Sequence, residues 1–111
     1  MNADPQAAKI RQLNDGFRHT GRGGRIMITS GIQALGEQAV AAIVAKVRAF
    51  KEFTPDNDPY GEHDFGKIVH DGQKVFWKMA YYDKAMEYGS PDPSDPSVTT
   101  RIMTVMLADE Y

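Results

Sequence analysis

The dipeptide Asp71-Gly72 constrains the possible fold of this chain more than any other feature. It separates two runs rich in β-branched and aromatic residues, Phe65–His70 and Gln73–Tyr82, and Asp-Gly suits the two-residue turn whose twist matches that of paired strands. Such a turn sets a register. His70 faces Gln73, Ile68 faces Val75 and Gly66 faces Trp77, so one face of the hairpin carries Ile68, Val75, Trp77 and Met79, with the indole opposite a residue that leaves it room. The other face carries Phe65, Lys67, Lys74, Phe76 and Lys78 and is amphipathic. Extended past the first strand, the same register sets Asp64 against Met79, His63 against Ala80, Glu62 against Tyr81 and Tyr60 against Asp83.

Helical signals precede this hairpin. Asp4-Pro5 reads as a helix start, and Ile10, Leu13 and Phe17 recur at helical spacing, which predicts a helix over residues 5–19 that stops in the glycine run 20–25. Residues 26–29 read as a short strand. Val40, Ile43, Val44, Val47 and Phe50 form one wide apolar face with Lys46, Arg48 and Lys51 off it, which predicts a second helix over residues 37–53. Residues 54–64 form an acidic loop, residues 83–100 a long acidic loop with three prolines, and residues 101–107 a last strand. The expected architecture is a single α+β domain over residues 1–111. Two helices pack on one face of a small, mostly antiparallel four-stranded sheet in the order α-β-α-β-β-β, with the strand order open.

At 111 residues the chain is too short for a substrate domain joined to a cofactor domain. The absence of cysteine excludes disulfides, thiol nucleophiles and thiolate metal sites. Residues 1–11 hold no apolar run of leader type and no stretch is long enough to span a bilayer, so no membrane association and a cytoplasmic location are expected. A net charge of −2 argues against a dedicated duplex-DNA binder, yet the charge is unevenly spread: residues 1–53 hold eight Lys and Arg against four Asp and Glu, and residues 54–111 five against eleven. That polarity is compatible with steering of a partner or with a homodimer.

Motifs narrow the chemistry. Gly31 to Gly36 follows a strand and opens a helix, but Glu37-Gln38 stands where a phosphate-binding Lys and a metal-binding hydroxyl are required. Asp56-Asn57-Asp58 starts like a calcium loop, yet Lys67 falls where the closing carboxylate belongs. His63 and His70 lie roughly 23 Å apart at strand rise and cannot share an ion. No cofactor and no metal is expected. The register gathers Glu62, His63, Asp64, Tyr81, Tyr82 and Asp83 at the open end of the hairpin, with Glu87 beyond, and phenols among mixed charges suit a protein-binding surface. Two alternatives stay open: nucleic-acid binding by Arg18, Arg22 and Arg25, and a metal-dependent hydrolase centred on His63 with nearby carboxylates.

The segments Ile10 to Asp15, Thr20 to Arg25, Asp56-Asn57-Asp58-Pro59, Gly61 to Gly66, Trp77-Lys78, Tyr81-Tyr82-Asp83 and Thr100 to Leu107 together resemble a family of small bacterial proteins known only as a domain of unknown function. The resemblance covers nearly the whole chain and brings no catalytic residues with it. Its members resemble accessory genes of plasmids and phages. That implies a non-enzymatic protein of mobile-element biology, such as an inhibitor of a host defence complex of the anti-CRISPR kind.

Overall fold

The computed structural model describes residues 4–111, so the first three residues of the N-terminal stretch 1–11 lie outside it. Asp4 opens α1 (Pro5–Thr20) by accepting from the Gln6 amide at 2.9 Å, and Gly21 closes it in the left-handed conformation at φ 76°. β1 (Arg25–Ile28) follows. The next turn coils into a short helix, α2 (Ser30–Gln33), which propensity does not favour. It is held by the Thr29 hydroxyl, which accepts from the Ile32 amide at 3.4 Å, and by the complete burial of Ile32. α3 (Glu37–Ala49) stops short of the predicted residue 53. Phe50 leaves the helix at φ −61°, ψ 132° and turns its ring into the core, 4.9 Å from Phe53 and 5.6 Å from Trp77, and Arg18 takes its carbonyl at 3.1 Å.

β2 (Phe65–His70) and β3 (Gln73–Tyr82) pair antiparallel in the register that Asp71-Gly72 dictates, with Gly66 opposite Trp77 and Ile68 opposite Val75. Asp71 and Gly72 have φ 49° and 77°, the positive pair that the tight turn requires. A Cβ at Gly66 would strike the Trp77 indole, so the glycine does make room for the ring. β4 (Thr100–Leu107) enters between the first strand and the hairpin, giving the order β1-β4-β3-β2 with β1 parallel to β4. The α+β class stands. The expected two helices become three, and the sheet is mixed, because the alternating buried residues Arg101, Met103 and Val105 equip β4 for the interior of the sheet.

All three helices share one core with one sheet face: Phe17 of α1, Ile32 of α2, and Ile43 and Val47 of α3 pack with Val75, Trp77, Met103 and Val105, each at most 2% exposed. Burial of each such side chain contributes about 1.5–3 kcal/mol. The register assigns to the reverse face Arg25 and Met27 of β1, Ile102, Thr104 and Met106 of β4, Lys74, Phe76, Lys78, Ala80 and Tyr82 of β3, and Phe65, Lys67 and Val69 of β2. A 3-10 turn, Ala108–Glu110, brings Tyr111 over Phe65 and Phe76 on that side. Among the described residues, no helix is long and apolar enough to cross a membrane.

Candidate functional site

Arg11, Asn14, Asp15 and Arg18 recur at helical spacing and line one side of α1, where each reaches another part of the chain. Arg11 Nη1 donates to the Gly61 carbonyl at 2.8 Å. The fully buried Asn14 donates through Nδ2 to the Glu62 carbonyl at 3.0 Å and to the Tyr81 hydroxyl at 2.8 Å, and its Oδ1 accepts from Arg101 Nε at 2.6 Å. Arg101 Nη2 in turn donates to the Pro93 carbonyl at 2.6 Å, with its guanidinium 5.0 Å from the centre of the Tyr81 ring. Asn14 therefore ties α1, the 58–64 loop, β3 and β4 together through one side chain.

His63 is the second hub. Strand pairing continues one residue past Phe65, where the Met79 amide donates to the Asp64 carbonyl at 2.8 Å, and then His63 adopts φ 55° and swings the chain towards α1. The extrapolated register therefore ends before His63, which does not lie across from Ala80. Its ring stacks on Phe53, centroids 3.7 Å apart and planes within 4°. Nδ1 faces Asp15 at 2.9 Å, Nε2 faces Asp58 at 3.5 Å, and the backbone amide donates to Asp58 at 3.1 Å. Each ring nitrogen thus faces a different carboxylate. Because the carboxylates stand on different ring nitrogens, they do not converge with the imidazole on one point. Among the described residues, no group of three or more His, Asp and Glu side chains is placed to hold a metal ion. A shallow cleft of about 380 Å³ borders the ring, with Phe53, Pro55, Pro59 and Gly61 in its walls.

The electrostatics follow the crowding. Burial first, and then repulsion from Asp64, hold the Glu62 carboxyl above the ordinary range, and the Tyr81 hydrogen bond at 3.2 Å opposes this only in part. Burial also raises Asp64, with Asp58 adding to it and His63 opposing it. Burial keeps Tyr81 a neutral phenol, its titration raised further by Glu62 and lowered by the Asn14 contact. Burial lowers both Arg18 and Arg101, and Asp15 counters the effect at Arg18.

The expected surface thus resolves into two parts. Glu62, His63 and Tyr81 join the network with α1, while Asp64 holds the last strand bond through its carbonyl. Tyr82 points to the reverse face, and Asp83 builds the next turn by accepting from the amides of Glu87 at 2.9 Å and Tyr88 at 3.4 Å, leaving Glu87 exposed. The basic patch also divides: Arg18 is 1% exposed, its guanidinium 5.0 Å from the Trp77 ring, whereas Arg22 and Arg25 are exposed. Sequence reasoning missed Arg11, Asn14, Asp15, Asp58 and Arg101. The spacing of the first three with Arg18 along α1 was the available signal.

Residues 28–110 match the model of a protein family described as protein of unknown function (DUF3768). The chain belongs to this family. The matched segment holds Asp58, Glu62, His63, Asp64, Tyr81 and Arg101, whereas α1, with Asn14, Asp15 and Arg18, precedes it. No curated protein and no solved structure matches the chain.

Proposed function

We propose that the protein is a non-enzymatic interaction module that docks a protein partner through the turn at residues 83–89. The observation that carries this reading is the exposure of two large side chains on one ordered turn, Met86 at 39% and Tyr88 at 74%, next to Tyr82, the last residue of β3, at 37%. The turn is closed by a bridge between Tyr82 and Gly89 and by the Asp83 amide donating to the Tyr88 carbonyl at 2.8 Å. Met86 is held at φ 60°, a conformation disfavoured for a side chain of its kind and stored where surrounding bonds enforce it. Aromatic and methionine side chains on a preformed turn bind with little ordering cost, and the turn carries both signs of exposed charge, Lys84 and Glu87, for pairing with a partner. An accessory role in phage or plasmid biology, such as inhibition of a host defence complex, is the finer form of this reading and is supported by the resemblance alone.

The test is affinity capture from the native host with the wild-type protein and with Met86→Ser/Tyr88→Ser, followed by reconstitution with the purified partner. A partner held by the wild type and released by the variant, at unchanged melting temperature, supports the docking turn. Equal retention by both proteins removes it.

A further inference from the structure

We propose that the reverse face of the sheet is a platform for single-stranded nucleic acid, a reading that stands apart from the docking turn. The strand residues of this face include Arg25, Lys67, Lys74 and Lys78 and none of the fifteen carboxylates of a chain whose net charge is −2. Asp71, Asp109 and Glu110 lie in the turns at one end, the last with its carboxylate held by Thr29 and the Gly31 amide. The cations alternate with rings: Phe65 pairs with Lys78 and Phe76 with Lys67 across adjacent strands, while Lys74 sits beside Val69. Tyr111, 71% exposed, stands edge-on to both phenylalanines, 6.1 Å from Phe65 and 5.6 Å from Phe76, with Lys78 Nζ 5.2 Å from the centre of its ring. At the edge of β2 a groove of about 460 Å³ continues this surface, with Phe65, Lys67 and Phe76 on one wall and Glu52 and Asn57 on the other.

Flat rings beside ammonium groups match the two parts of a nucleotide in one strand, a base that stacks and a phosphate that pairs. A duplex keeps its bases stacked inside, so a broad sheet face would meet its phosphates and leave the rings unused. A second copy packed on the same face would bring two sets of Arg25, Lys67, Lys74 and Lys78 together with no strand carboxylate between them, which is repulsive. An acidic peptide would satisfy the cations but makes no use of Tyr111.

Fluorescence anisotropy with labelled twelve-nucleotide single-stranded DNA and RNA, the matching duplexes, and labelled polyglutamate tests the platform. Single strands bind with a dissociation constant on the order of 1–100 μM at low salt, with a log–log salt slope of about −2, as three paired phosphates imply. Lys67→Gln/Lys74→Gln/Lys78→Gln weakens binding by about tenfold or more and flattens that slope. Tyr111→Ala weakens single-strand binding by about fivefold or more with the slope kept, and leaves polyglutamate unaffected. Met86→Ser/Tyr88→Ser binds oligonucleotide like the wild type, so failure of one surface is distinguishable from failure of the other. Duplex or polyglutamate binding as tight as single-strand binding overturns the proposal without any variant. So does the absence of oligonucleotide binding at low salt, or a sedimentation mass of two chains held together through Tyr111.

Discussion

The two sides of β3 are built from opposite materials. Val75, Trp77 and Met79 point inward and are at most 7% exposed, whereas Lys74 and Lys78 point outward and are exposed on either side of the half-buried Phe76. One strand thus supplies the centre of the core and the middle of a charged, ring-bearing surface, on alternate residues. The difference teaches that the core and the proposed binding surface draw on different residues of the same segment. Substitution can therefore separate the two.

The sharpest break is expected at Trp77. Trp77→Ala removes the largest buried side chain and is expected to cost about 3–5 kcal/mol, read by chemical denaturation. Gly66→Ala drives a methyl group into the same indole from the facing strand and should also lower the melting temperature strongly. A small effect from both would mean that the core is not organised around this ring. Next comes Asn14→Ala, which strips Arg101 Nε and the Tyr81 hydroxyl of a buried partner and is expected to cost about 2–3 kcal/mol. Loss of that stability with oligonucleotide affinity intact in the folded fraction would sharpen the division between the faces.

A smaller effect concerns pH. Glu62 and Asp64 titrate above the ordinary carboxylate range in the folded chain, so across that interval the folded state holds more protons than the unfolded one. Their contribution is therefore most favourable at low pH and declines as pH rises through the elevated values. Glu110, lowered mainly by its Thr29 hydrogen bond, acts in the opposite sense and loses its contribution as pH falls. Melting curves of Glu62→Gln should show a weaker decline on going from mildly acidic to neutral pH than the wild type, and identical slopes would refute the assignment. The smallest change is expected on the reverse face, where Lys74→Gln should alter folding stability by no more than about 0.5 kcal/mol, measured by denaturation.

The hairpin was legible because its two-residue turn permits one register, and the apolar stripe of α3 because burial repeats every three or four residues. Signals of that kind end where local periodicity ends. Phe50 fits the α3 stripe, but its ring is more stable packed between Phe53 and Trp77 than continuing the helix, a competition that tertiary contact decides. The place of β4 was hidden because a parallel partner 77 residues away leaves no mark in the intervening sequence. At the site, Glu62 and Tyr81 meet at 3.2 Å as the extended register suggests, but through a side-chain bond formed after strand pairing has stopped at Asp64. The left-handed turn at His63 was not, because nothing in Glu62-His63-Asp64 announces a positive φ for a non-glycine residue. The polar side of α1 looked like solvated helix surface until Asn14 was seen buried beneath the loop.

The position of β4 has a consequence for biogenesis. The strand bonded to both β1 and β3 is the last of the four in chain order, so a chain that stops before residue 100 carries two sheet edges with nothing between them. Closure of the β1 pairing spans most of the polypeptide and has a high entropic barrier. The sheet is therefore complete only once β4 has joined β1 to β3, and a chain cut before residue 100 is expected to be more open to proteolysis than the full one.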